Sequence, residues 1–143
     1  MPKKINFQFL ISYLGLIPYV LTFLDKYYFL IVEEEVLLNF VIYYSLIIIV
    51  FIGSINWNFK INPPTHIVIY GFLPSLFAVI IIILSLLNIN VSIIFILIIL
   101  LLLTQLFLDY IILFANETNK QAFNYLRLPL TILIILFLFI ISL

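Results

Sequence analysis

The chain has 143 residues, of which 67% are hydrophobic and 8% charged, with six Lys and Arg against six Asp and Glu. A water-soluble fold of this length cannot bury so much apolar surface, so the bilayer is the expected solvent. The even charge balance excludes the basic surface that nucleic acid needs, and the lack of cysteine excludes disulfides, thiolate nucleophiles and Cys-based metal or iron-sulfur centres.

In chain order, Met1-Pro2-Lys3-Lys4 gives a positive start before an apolar run, but no small-residue cleavage site follows, so residues 7–24 read as a retained anchor. Its 18 residues cover about 27 Å as helix, just sufficient for a hydrocarbon core of ~30 Å. The second run, 36–55, is uncharged and leads into Asn56-Trp57-Asn58, where Trp57 reads as an interface anchor. Asn62-Pro63-Pro64-Thr65 supplies a turn and a helix start for a third run, 66–87. Asn88-Ile89-Asn90 closes a tight hairpin to the fourth run, 91–115, whose one charge is Asp109. Thr118 and Gln121 have capping-box spacing, so a helix starts ahead of the fifth run, 126–143. The expected fold is all-α: a single polytopic domain over residues 1–143, a bundle of five transmembrane helices.

Lys and Arg flanking the spans are retained inside. With the N-terminus inside, Lys3, Lys4, Lys60, Lys120 and Arg127 share the inner face and Lys26 alone lies outside, with Asp25, Glu33, Glu34 and Glu35 beside it. The C-terminus is then outside. "Inside" is cytoplasm for a bacterial inner (plasma) membrane and matrix for a mitochondrial inner membrane.

Pro18, Pro74 and Pro129 fall within spans and free the carbonyls of Leu14, Tyr70 and Tyr125, which must find partners inside protein. They read as packing kinks; the sharper reading is a broken helix lining a transport site. Gly71, Ser75 and Ala78 share one helix face and allow a neighbour to approach closely. There is no GxxxG motif and no internal repeat.

Asp109 precedes Asn116 by seven residues, about 10 Å inside the fourth span's end, and needs a partner there. Gln105 is one turn away on the same face, and Lys120, Asn124, Arg127 and Thr131 form a stripe on the fifth helix. A short connection between antiparallel neighbours brings Arg127 toward Asp109 as a carboxylate-guanidinium pair. Asn56, Tyr13 and Tyr70 come from the same halves of their spans, so the expected intramembrane polar cluster is Asp109, Arg127, Gln105, Asn56 and Thr131. An ion pair that fixes helix register outweighs a proton relay, because no second intramembrane acid exists. His66 reads as an interfacial helix-start residue and Glu33 to Glu35 as a solvated run. No metal site and no cofactor are expected. No nucleophile-base set or glycine-rich phosphate loop is present, so no catalytic residues are assigned and the chain is not expected to be an enzyme.

The chain resembles, over nearly its whole length, the transmembrane protein 69-like family (domain of unknown function 3429) of bacterial and mitochondrial inner-membrane proteins. The resemblance rests on Leu14-Gly15-Leu16-Ile17-Pro18-Tyr19, on Tyr44 through Gly53-Ser54-Ile55-Asn56-Trp57, on Leu73-Pro74-Ser75-Leu76, on Gln105 through Asp109, and on Leu126-Arg127-Leu128-Pro129-Leu130-Thr131. The family often has Gly-Gly and a His before the Trp; here Gly53-Ser54 and Asn56 stand instead, so no role of that His carries over. The resemblance implies a five-helix inner-membrane protein in which Pro18, Trp57, Pro74, Ser75, Asp109 and Arg127 belong to a shared core, and it implies no reaction.

The functional expectation is a non-enzymatic accessory or assembly component of a membrane complex, with the lipid bilayer and other inner-membrane proteins as partners. Such a role favours a polar or small-residue stripe pointing outward. The alternative, a small-solute or proton-linked transporter or channel using Asp109, Gln105 and Arg127, requires a wet cavity reaching mid-membrane.

Overall fold

In the computed structural model, residues 7–54, 64–112 and 123–143 are described, and every regular element among them is helical. Helices α1 (Phe7–Leu14) and α2 (Ile17–Leu24) are separated by a turn at Gly15 and Leu16, and α2 runs on into a π-helical segment, Asp25–Phe29. Then come α3 (Glu34–Ser54), α4 (Thr65–Leu86) and α5 (Val91–Ile112); a second π-helical segment, Phe123–Arg127, leads into α6 (Leu128–Ser142).

Four helical stretches are long and apolar enough to cross a membrane: Glu34–Ser54, Thr65–Leu86, Val91–Ile111 and Phe123–Ser142, each of 20 to 22 residues. At about 1.5 Å per residue they match a hydrocarbon core of ~30 Å. Their bounds lie within two or three residues of the runs read from sequence, except that the expected stretch beyond Ile112 lies outside the described residues. Trp57, Asn56 and the Thr118–Gln121 cap also lie outside them.

The first run differs from a continuous helix. It is two helices of 8 residues each, neither long enough to cross alone. Pro18 has no N–H, so the Leu14 carbonyl loses its usual helical donor, and the chain tightens there through Gly15 N to Ser12 O (3.2 Å) and Leu16 N to Tyr13 O (3.0 Å). Pro18 then falls in the first turn of α2, where a missing N–H costs little. The Tyr44 hydroxyl on α3 donates to the Gly15 carbonyl at 2.8 Å and so anchors the break to the bundle. Pro129 occupies the same first-turn place in α6. The carbonyl it frees, Tyr125 O, accepts the Tyr13 hydroxyl at 2.9 Å. Pro74 alone lies inside an uninterrupted helix, and it is buried.

The hairpin between α4 and α5 is built by two asparagines. Asn88 adopts φ 56°, the left-handed conformation that Asn tolerates better than most side chains. Asn88 N bonds to Ser85 O (3.1 Å) and Ile89 N to Leu84 O (3.2 Å), the paired bonds of a Schellman ending. Two residues on, the Asn90 side chain accepts from Ser92 N at 2.9 Å and caps α5.

Helix α3 packs on α2, α4, α5 and α6, while α6 also meets α2 and α5, and α5 meets α4. Tyr19 of α2, Val41, Ile42, Leu46 and Ile49 of α3, Ala78 and Ile81 of α4, Ile94, Phe95, Ile98 and Leu102 of α5, and Ile134, Leu138 and Ile141 of α6 form one buried core. In lipid, such association rests on close packing more than on expulsion of water. Helices α3 and α4 approach closely: a Cβ added at Gly53 would lie 2.8 Å from Pro74 Cγ and 3.2 Å from the Gly71 carbonyl. Gly71 and Ala78 are buried on that face and Ser75 is half-buried. Outward, the helices present Ile47 and Phe51 on α3, Phe72 and Ile83 on α4, Leu100 and Phe107 on α5, and Leu136 and Phe139 on α6. Such an apolar exterior suits hydrocarbon and would aggregate in water.

Candidate functional site

Asp109 lies in the last turn of α5 and Arg127 closes the π-helical segment just ahead of α6. Both side chains lie within the bundle, where an ion needs a partner. Their direct pairing supplies it. Arg127 Nε donates to Asp109 Oδ2, with the two side chains 13% and 3% exposed. The other carboxylate oxygen, Oδ1, accepts the Tyr70 hydroxyl from α4, and the same hydroxyl lies 3.3 Å from the Gln105 carbonyl. Arg127 Nη1 donates to Thr131 Oγ1 at 3.2 Å. One turn along α5 from Asp109, Gln105 Nε2 donates to the Ile49 carbonyl of α3 at 3.0 Å.

The cluster therefore joins α3, α4, α5 and α6, with α1 tied close by through Tyr13 and the Tyr125 carbonyl. Of the five residues expected there, Asp109, Arg127, Gln105 and Thr131 come together and Asn56 lies outside the described residues. Tyr70 holds a more direct place than its sequence context indicated, since it supplies the second donor to the carboxylate. Two buried atoms, Gln105 Oε1 and Arg127 Nη2, have no hydrogen-bond partner.

Toward the other end of the bundle the buried face of α5 continues from Gln105 as Leu102, Ile98, Phe95 and Ile94, all 0 to 1% exposed. The carboxylate is in contact with its counter-ion beside this apolar packing, so its charge is met within the bundle. Among the described residues, this geometry lends no support to the wet route that transport requires. Among the described residues, no three of His, Cys, Asp and Glu come together as a metal site. His66 is the second residue of α4 and is exposed.

Two polar constellations were not anticipated from sequence. Tyr19 is fully buried, and its hydroxyl lies 2.8 Å from Ser45 Oγ. Ser45 spends its own proton on the Val41 carbonyl, so Tyr19 is the donor. A serine within an apolar span was the available signal. At the bundle end remote from Asp109, Lys26 Nζ donates to the Ile141 carbonyl (2.7 Å) and pairs with Glu34 Oε1 (3.1 Å), while the Tyr27 hydroxyl donates to the Ile140 carbonyl (2.7 Å). These donors satisfy the open C-terminal carbonyls of α6. Glu34, expected to be part of a solvated run, is thus a member of an ion pair, although it remains 66% exposed.

The decisive comparison is with protein families. The chain belongs to the DUF3429 family, proteins of unknown function, whose pattern matches residues 6–143. No curated protein and no solved structure matches it. This DUF3429 protein therefore combines an all-helical fold with helices long and apolar enough for several membrane crossings.

Proposed function

We propose that this DUF3429 protein is a non-enzymatic, five-span inner-membrane protein that serves as an accessory or assembly component of a larger membrane complex, with its N-terminus inside and its C-terminus outside. The observation that carries the reading is the network of Asp109, Arg127, Tyr70 and Thr131. The buried carboxylate and guanidinium are paired with each other, which supports a clamp between helices rather than a substrate site. Interrupted α1 and α2, with the segment Asp25–Phe29, supply the fifth crossing. The bacterial plasma membrane, or the mitochondrial inner membrane in a eukaryote, is the proposed location.

An outward polar or small-residue stripe would strengthen a partner role within the bilayer. Among the described helices the outward faces are mainly Ile, Leu, Val and Phe, and the hydroxyl of exposed Thr104 returns to its own helix at Leu100 O (2.7 Å). That pattern weighs against docking through the bilayer, and a partner role then needs contacts outside the apolar helix faces. Tagged protein purified from native membranes in mild detergent, followed by quantitative mass spectrometry, tests the proposal. Stoichiometric recovery of one complex supports it. Recovery of the chain alone removes it, and liposome flux with Asp109→Asn as control then tests transport.

A further inference from the structure

Far from the Asp109 cluster, the bundle has a lateral groove between α2, the Asp25–Phe29 segment and α3. It encloses about 380 Å³ and is lined by Pro18, Leu21, Thr22, Phe29, Leu37 and Phe40 among others. Pro18 precedes Asp25 by seven residues, so the groove reaches about 10 Å along α2 from its polar end. A second hollow, about 260 Å³, shares Val32 and Leu37 with it and brings Lys26 and Glu34 to its wall. The apolar groove thus adjoins a hollow walled by a cation beside an anion.

We propose that this groove binds a zwitterionic aminophospholipid in the leaflet that holds the α2–α3 connection, with an acyl chain beside Leu21 and Phe40 and the headgroup against the Lys26–Glu34 pair. Charge complementarity selects the headgroup. An ammonium has three protons, and the Ile141 carbonyl and Glu34 Oε1 take two of those on Lys26, leaving the third for a lipid phosphate. Glu34 keeps its second oxygen for the lipid amine. Asp25 is turned to the connection's backbone, where its Oδ2 accepts Val32 N at 3.0 Å and its Oδ1 faces Ile31 N at 3.4 Å. The groove wall selects a lipid tail over a polypeptide. Its one hydroxyl, Thr22 Oγ1, is already bonded to Pro18 O at 2.8 Å, so a backbone laid there would leave its own polar groups unmet. The connection beside it is apolar and outward, with Tyr28, Leu30 and Ile31 each 70% exposed or more, which keeps it in contact with lipid.

Native mass spectrometry of the full chain, titrated with phosphatidylethanolamine, phosphatidylcholine and phosphatidylglycerol of equal chain length, tests this site. A charge-assisted hydrogen bond to Glu34 predicts about tenfold preference for phosphatidylethanolamine over phosphatidylcholine, which has no N–H, and a preference of about twofold or less in Glu34→Gln. Leu21→Trp, at a residue 58% exposed on the groove, lowers binding of all three lipids, whereas Phe139→Trp on α6 does not. Helical content by circular dichroism confirms that each variant is folded. Equal binding of the three lipids, indifference to Leu21→Trp, or displacement of a co-purified polypeptide instead of lipid by that variant overturns the proposal.

Discussion

Asp109 shows how one side chain depends on several helices. Its two oxygens are met by donors from α4 and from the start of α6, so deleting either member of the ion pair leaves a buried charge without compensation. Asp109→Asn or Arg127→Met should therefore lose about 3 kcal/mol, whereas the double replacement Asp109→Leu with Arg127→Met should lie close to the parent protein, since well-packed apolar pairs often equal a buried ion pair. Unfolding by steric trapping in bilayers reads both, and an Asp109→Asn protein as stable as the parent would remove the pair from the account of the fold. At Gly53 the constraint is volume rather than charge. A methyl group there meets Pro74 at 2.8 Å, so Gly53→Ala should cost about 1–3 kcal/mol by overpacking. Pro74→Ala in the same chain should recover part of that loss, because residues in contact are not additive; simple additivity of the two would place the conflict elsewhere.

At the scale of elements, proline position decides whether a helix breaks or continues. Pro18 lies in the first turn after a break and Pro129 in the first turn after a π-helical segment, while Pro74 is carried within α4. Their locations were legible in the sequence, and so was the need of the freed Tyr125 carbonyl for a partner. That Tyr13 would supply it was not legible, because 112 residues separate the two. The α4–α5 hairpin is the most local device in the chain, and Asn88-Ile89-Asn90 announced it. Since Asn88 has φ 56°, Asn88→Gly should be neutral or stabilising, and Asn88→Val should cost about 1–2 kcal/mol. Thermal unfolding in nanodiscs distinguishes them, and equal midpoints for the two variants would contradict the left-handed assignment.

For the whole molecule, the outstanding quantity is orientation. In the proposed orientation the positive flanks divide five to one, with Lys26 alone on the outer side. The chain has no cysteine, so single-cysteine variants carry no background. In intact cells an impermeant maleimide should label Glu33→Cys at once and Lys4→Cys only after permeabilisation; the reverse pattern inverts the topology. Lys26 also shows why a flanking charge has a second use. Once α2 and α6 pack together, it reaches the open carbonyl end of α6 and joins Glu34 across the connection to α3.

Membership of the membrane class, the positions of the long helices, the hairpin and the candidacy of Asp109 with Arg127 were all determined by sequence alone, because each rests on composition or on spacings within a single turn or loop. Tertiary structure decided the rest: Tyr70 as the second donor to Asp109, Gly53 against Pro74, Tyr19 to Ser45, and the break between α1 and α2 held by Tyr44. These contacts depend on how neighbouring helices are rotated about their axes. The spans here are apolar on almost every face, so hydrophobic periodicity carries little information about rotation. Close packing and the few polar side chains set it instead.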